Sequence, residues 1–341
     1  MIKSRPVLVW SVIVIVAAAL LATGYLWTRQ QGSQEFTGVR ERLRIGVTLD
    51  VGSALVIIAR EKGFLQQAGL DAELKDYPSG ARSLEGMFAG DIDVSMPVDV
   101  PILLAGFARQ DFRVFATISS ASTYQKIVAR KDRGIQSPKD LKGKHIATQK
   151  SSAVHYFLHL FLLNYGLSEK DIRLSFKKAE ELSSALASGE IDAFSMREPF
   201  VSQAKKLLGD NALVFDAPGL YESTCNLTAS ASLIKDRPEA IRRMLKAVLR
   251  AEDFAENHPQ EARRIVAKTL GITDSEVAAE WTKFGMKVSL SHRMLSGLQN
   301  GARWAMSSKL TDQTAIPNFM ELVYADGLRA LRPEAVTITT K

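Results

Sequence analysis

Several side chains in this sequence could hold a small charged molecule, and they fall in turns that follow strand-like segments. Arg197 offers a planar fork of donors suited to a sulfonate, carboxylate or phosphate, and Lys150 stands in another of these turns as a candidate ligand contact. Ser151-Ser152 opens a helix-like run whose first amides lack internal partners; with the helix dipole, that end attracts anions. Gly52-Ser53 opens another such run. Asp50 and Asp99 could each receive an ammonium group, and Pro97, Ser119, Ser120 and Glu198 share these turns. Each residue also has a plain structural use. Ser is a favoured N-cap, Asp is common in turns, and Arg197 could pair with Glu198 or Asp192. Acids on one side and donors on the other would suit a zwitterion such as an amino-sulfonate or an amino acid.

These turns matter because ligands of open α/β sheets sit beyond the carboxyl ends of the strands. The elements that place them come in two similar sets. Ala89-Gly90-Asp91-Ile92-Asp93-Val94 is echoed by Ser188-Gly189-Glu190-Ile191-Asp192-Ala193, and Arg44-Ile45-Gly46-Val47-Thr48 by Lys144-His145-Ile146-Ala147-Thr148. Two copies are too few for a solenoid. Two similar α/β halves instead suggest two lobes with a cleft between them, a preferred place for a small ligand.

In the first half the sequence predicts strands over 43–49, 72–77, 92–96 and 112–119, separated by helices over 53–67, 81–88 and 99–108. This alternation implies parallel strands with right-handed crossovers. The segment 124–130 is extended and leads away. A second alternation follows, with strands at 144–148, 172–176, 191–195 and 212–215. After about Cys225 the rhythm stops and helices are expected over 238–256, 259–269 and 274–284, packing back onto the first half. That makes the first lobe discontinuous, with crossings near Ser122 and Cys225 that form a hinge.

Val7 to Leu26 carries no charge and is long enough for the ~20 apolar residues that cross a bilayer. Trp10, Tyr25 and Trp27 lie near its ends, and Lys3 and Arg5 precede it, which favours a cytoplasmic N-terminus. We read 7–27 as an uncleaved transmembrane anchor, the alternative being a cleaved signal, and 28–42 as a linker. Either way the rest of the chain lies outside the cytoplasm. Of 341 residues one is cysteine, Cys225, which excludes an internal disulfide. The net charge of +7 is spread along helices without a basic tract interleaved with aromatics, so nucleic-acid binding is not expected. His155 and His159 have the spacing of a metal pair but no nearby third ligand, and we expect no metal. No nucleophile–His–acid set, phosphate loop or dinucleotide fingerprint is present, and no cofactor is expected.

Lys142-Gly143-Lys144-His145-Ile146-Ala147, Ser151-Ser152-Ala153-Val154-His155-Tyr156, Gly189-Glu190-Ile191-Asp192-Ala193 and Arg197-Glu198-Pro199-Phe200 resemble the second lobe of substrate-binding proteins for nitrate, sulfonates and taurine. Glu61-Lys62-Gly63-Phe64 and Gly69-Leu70-Asp71-Ala72-Glu73-Leu74 are similar to that family's first helix and second strand. The similarity runs from about Leu43 to Pro259. Family members usually carry an aromatic residue before the second lobe's Glu-Pro, where Arg197 stands here.

The resemblance implies an α/β, two-lobed periplasmic-binding-protein (type II) fold. Lobe I would comprise 43–122 and 226–341, lobe II 123–225, with one N-terminal transmembrane helix added. It implies an extracytoplasmic solute-binding receptor, not an enzyme, at the outer face of the inner membrane. Such a receptor closes on a small organic anion or zwitterion and delivers it to the permease of an ATP-driven (ABC) importer. One alternative is a membrane-tethered ligand sensor acting on a membrane partner. Another is an enzyme like the thiamine-pyrimidine synthases, which share the fold, although their cysteine-rich motif is absent.

Overall fold

The structure, a computed structural model, describes residues 36–339. The expected anchor at 7–27 lies outside them. Among the described residues no helix is long and apolar enough to cross a membrane.

The first strand, β1 (Glu41–Thr48), starts ahead of the expected Leu43. Its start is held where the linker was expected to end: Arg237 pairs with Glu41 at 2.8 Å, and Arg243 donates to the carbonyls of Val39 and Gly69. β1 runs parallel to β2 (Leu70–Tyr77) and β3 (Val94–Ser95). The helices after these strands are α1 (Ala54–Glu61), α2 (Gly80–Phe88) and α3 (Asp99–Ala108), and α3 leads to β4 (Phe112–Ala121). The second sheet holds β5 (Lys126–Arg130), β6 (His145–Thr148), β7 (Arg173–Phe176), β8 (Ala193–Met196) and β9 (Ala212–Phe215). Helices α4 (Ala153–Asn164), α5 (Ala179–Ser188) and α6 (Phe200–Leu208) accompany them.

One expectation is corrected here. The α/β rhythm does not stop at Cys225, because β10 (Ser223–Ser230) is a central strand of the first sheet. It lies antiparallel between β3 and β4, and with β11 (Phe284–Gly285) at the edge the sheet order is β11-β4-β10-β3-β1-β2. The strand escapes an apolar search because its side chains are small and polar, yet nearly all are buried. They are satisfied across the sheet: Thr228 shares a 2.6 Å hydrogen bond with Ser95, and Thr117 donates to Asn226 at 2.7 Å. The second sheet, β7-β6-β8-β5-β9, repeats the plan, with β5 antiparallel between β8 and β9. In both sheets the inserted strand is the first one after the chain arrives from the other sheet.

The echoed segments form the same clasp twice. The Arg44 amide donates to the Asp93 carboxylate at 2.7 Å, and the His145 amide to the Asp192 carboxylate at 2.8 Å. The clasp equates Arg44 with His145, one residue away from the alignment read off the sequence. Because strand side chains alternate faces, that single step decides which residues point inward. Gly90 and Gly189, with φ of +80° and +81°, end the helices before each clasp in a conformation that favours glycine.

Neighbouring residues of the second sheet feed opposite cores. Val128, Ala147 and Phe194 face α5 and α6, while Ile127, Ile146 and Ala193 join Phe157 and Phe161 of α4 on the other side. The later helices, α7 (Pro238–Asn257) and α8 (Pro259–Leu270), pack on α1, as expected of a return to the first half. The helix expected to reach Phe284 ends at Trp281. Phe284–Gly285 instead forms β11, which extends the first sheet beside β4. Helix α9 (His292–Ser307) packs on both α3 and α4.

Candidate functional site

A cavity of about 190 Å³ lies between the two sheets. Its walls are the turns that follow the strands. From the first half come Thr48 and Asp50 after β1, the turn at 78–81 after β2, Val98 after β3, and Ser119 at the end of β4. From the second come Gln149 to Ala153 after β6 and Arg197 after β8.

The loop that opens α4 is held by local bonds. Ser152 is its N-cap, accepting from the His155 amide and donating to the Gln149 carbonyl at 2.5 Å. Ser195 on β8 donates to the Val154 carbonyl at 2.7 Å and fixes the first turn against the sheet. The amino ends of α2 and α4 both border the cavity, each with first-turn amides that the Ser79 and Ser152 caps leave free. The approach of α2 needs Gly80: a Cβ there would sit 2.8 Å from the Met96 carbonyl oxygen and from the Pro97 Cα.

Asp50, Lys150 and Arg197 all border the cavity, and among the described residues none of the three forms an ion pair. The Arg197 guanidinium lies 5.8 Å from the Tyr124 ring centre. Burial pushes the Asp50 carboxyl pKa up, opposed by the charge of Arg197 and by the amides of Gly52 and Ser53. Burial also pushes the Tyr124 phenol up to about 12, so it remains a neutral hydrogen-bonding group. Tyr124 meets Phe284 edge to face at 5.1 Å, and together they form an aromatic wall.

Of the residues singled out in the sequence, the cavity brings together Asp50, Ser119, Lys150, Ser151, Ser152 and Arg197. The others lie elsewhere. Gly52 and Ser53 are buried behind the wall, where the Gly52 carbonyl accepts from Ser119 and the Ser53 hydroxyl meets Thr48 at 3.0 Å. Pro97 is buried beneath Gly80. Glu198 accepts from the Ser202 amide and stabilises the start of α6. Ser120 points away from Ser119, as the pleat requires, into a separate cavity of about 70 Å³ shared with Asp99. Asp99 is 4% exposed, and the Tyr221 hydroxyl donates to its carboxylate, 2.6 and 2.8 Å from the two oxygens. Burial raises the Asp99 pKa to about 7 despite that bond.

Tyr124, Gln125, Phe284 and Ser79 to Ala81 also border the cavity, although the sequence reading does not single them out. The turn at 78–81 follows a strand, so the same carboxyl-end rule covers it. Phe284 gave no local signal, because it reads as the tail of a helix. Among the described residues no group of three or more His, Cys, Asp or Glu is arranged to hold a metal ion. His155 and His159 both face one carboxylate instead, with Nε2 and Nδ1 lying 3.5 and 3.4 Å from Glu169 Oε1. Burial would raise the Glu169 pKa, but the two imidazoles hold it well below the usual carboxylate range.

Comparison with known proteins agrees with this architecture. The family described as NMT1/THI5 like matches residues 51–262. A putative aliphatic sulfonates-binding protein of Bacillus subtilis (strain 168) is 28% identical over 256 residues, 73% of this chain and 75% of that protein. The taurine-binding periplasmic protein of Escherichia coli (strain K12) is 23% identical over 240 residues, 70% of this chain and 68% of its own length. Among solved structures, the periplasmic aliphatic sulphonate binding protein SsuA of Escherichia coli superposes with a TM-score of 0.72 at 20% identity, covering 83% of this chain and 92% of that one. The alkanesulfonate-binding protein of Xanthomonas axonopodis pv. citri bound to MOPS gives 0.70 at 22% identity, covering 85% and 100%. The family match spans more than half of the sequence, and the chain belongs to the NMT1/THI5-like family.

Proposed function

We propose that this chain is an extracytoplasmic solute-binding receptor that closes on a small sulfonate-type anion or zwitterion and passes it to an ABC permease. One observation carries the reading: Lys150, Arg197 and two helix amino ends converge on a single cavity between the sheets, with Asp50 on the opposite wall. The cations and helix ends suit the sulfonate, and Asp50 suits an amine on the same molecule. Relatives named for aliphatic sulfonates and taurine support that ligand class. Lobe I, expected at 43–122 with 226–341, would also take in all of β10 from Ser223, which leaves 123–222 for lobe II. Ligand contacts with both would favour the closed state. In this reading the apolar run at 7–27 is an anchor that keeps the receptor at the outer face of the inner membrane.

The enzyme reading finds little support at the cavity. Cys225 borders it, yet burial and the charge of Asp50 push the thiol up, away from the thiolate a nucleophile needs.

The test is calorimetric titration with taurine, ethanesulfonate and nitrate. Arg197→Gln should weaken taurine and ethanesulfonate alike by at least ~10-fold, the loss of a charge-assisted hydrogen bond. Asp50→Asn should weaken taurine alone. Wild-type protein that binds no member of the panel would overturn the ligand class.

A further inference from the structure

We infer that His155 is a positioning residue for the anion-binding loop: its ring accepts the Ser151 amide and is held in register by Glu169 and Trp304. The inference rests on the receptor reading above. Ser151 borders the cavity with a φ of +56°, a left-handed conformation uncommon for a residue with a Cβ. Such a backbone persists where its surroundings over-determine it. Here the surroundings are specific, because the Ser151 amide donates to His155 Nδ1 at 3.4 Å.

A neutral imidazole that accepts at Nδ1 carries its proton at Nε2. That atom is buried and faces Glu169 Oε1 at 3.5 Å, a long contact in which the carboxylate favours the ring proton on Nε2. This is the reverse of metal ligation, which would need a lone pair there. The ring cannot easily turn. It is 1% exposed and lies edge-on to Phe176 and Trp304, with centroids 5.0 Å from each.

Glu169 is itself tied to α9, with Trp304 Nε1 and the Ser308 hydroxyl each 3.4 Å from its carboxylate. The path from Ser151 through His155 and Glu169 to Trp304 therefore crosses from the second sheet's α4 to a helix that also packs on α3 of the first half. The loop that meets the anion is set from behind by both halves of the molecule.

Two variants and one spectrum test this on the full chain. His155→Phe keeps a ring between Phe176 and Trp304 but removes the acceptor; His155→Asn places an oxygen near the Nδ1 position. With ethanesulfonate as the calorimetric probe, His155→Phe should lose about tenfold in affinity and His155→Asn should stay within about threefold of wild type, the scale of one hydrogen bond. In the wild type, long-range ¹H–¹⁵N correlation of the imidazoles should report the Nε2–H tautomer for His155. Wild-type affinity in His155→Phe, equal losses in both variants, or an Nδ1–H tautomer would each overturn the inference. If the wild type binds no sulfonate, the receptor reading fails while the tautomer still decides the role of His155.

Discussion

Asp99 and Asp50 lie on neighbouring loops of the first sheet and meet different fates. Asp50 keeps an open side toward the cavity, whereas Asp99 is enclosed and its carboxylate is taken by Tyr221. Asp99 is therefore a group through which burial acts on stability. Its pKa rises from 3.8 to about 7 in the folded protein, chiefly by burial. Between those values the folded chain holds a proton that the unfolded chain has released. Stability from this group is thus greatest at acid pH, falls as pH rises from about 4 to about 7, and is lower by about 4 kcal/mol above that. Asp99→Asn should flatten this slope in urea unfolding followed from pH 5 to pH 8. An unchanged slope would place the titration on another group.

At the scale of elements, α2 meets the β3–α3 loop through a close backbone contact at Gly80. Gly80→Ala drives a methyl against backbone atoms, which cannot rotate away as a side chain can. We expect a loss of about 1–3 kcal/mol of stability, the usual range for overpacking. We also expect weaker ethanesulfonate binding, because the turn at 78–81 lines the cavity. Chemical denaturation and calorimetry would measure the two effects, and a neutral outcome in both would show that α2 slides freely. Local turns of this kind were largely legible in the sequence. Asp50, Lys150 and Arg197 stand one or two residues past the ends of β1, β6 and β8, and Ser119 near the end of β4, which marks loops at the carboxyl edges of the sheets. Direction was less legible. Whether Ser119 or Ser120 faces the cleft depends on the pleat, and the exit of Asp99 depends on the rotation of α3. Two contributions stayed hidden because they are made by distant pairing. Phe284 arrives on an edge strand, and β10 is a run of small polar residues whose burial makes sense only with Ser95 and Thr117 beside it.

At the scale of the molecule, closure is the motion that receptor function requires. The two connections between the sheets run through 122–125 and 216–222 and meet where the Gly219 amide donates to the Ser122 carbonyl at 3.4 Å, and Tyr124 and Gln125 of the first border the cavity. Saturating ethanesulfonate should lower the radius of gyration measured by small-angle X-ray scattering, whereas an unchanged value with bound ligand would mean that the cavity fills without lobe movement. The interlaced strands carry a consequence for how such a chain is made. The sheet that starts at Glu41 keeps a vacant lane between β3 and β4 until residues 223–230 have been synthesised. Throughout that interval two strand edges stand bare, an invitation to aggregation that a nascent chain meets before its own second half is complete. The half encoded first is the half finished last, and a nascent chain halted short of Ser223 should depend on chaperones that a full-length one can release.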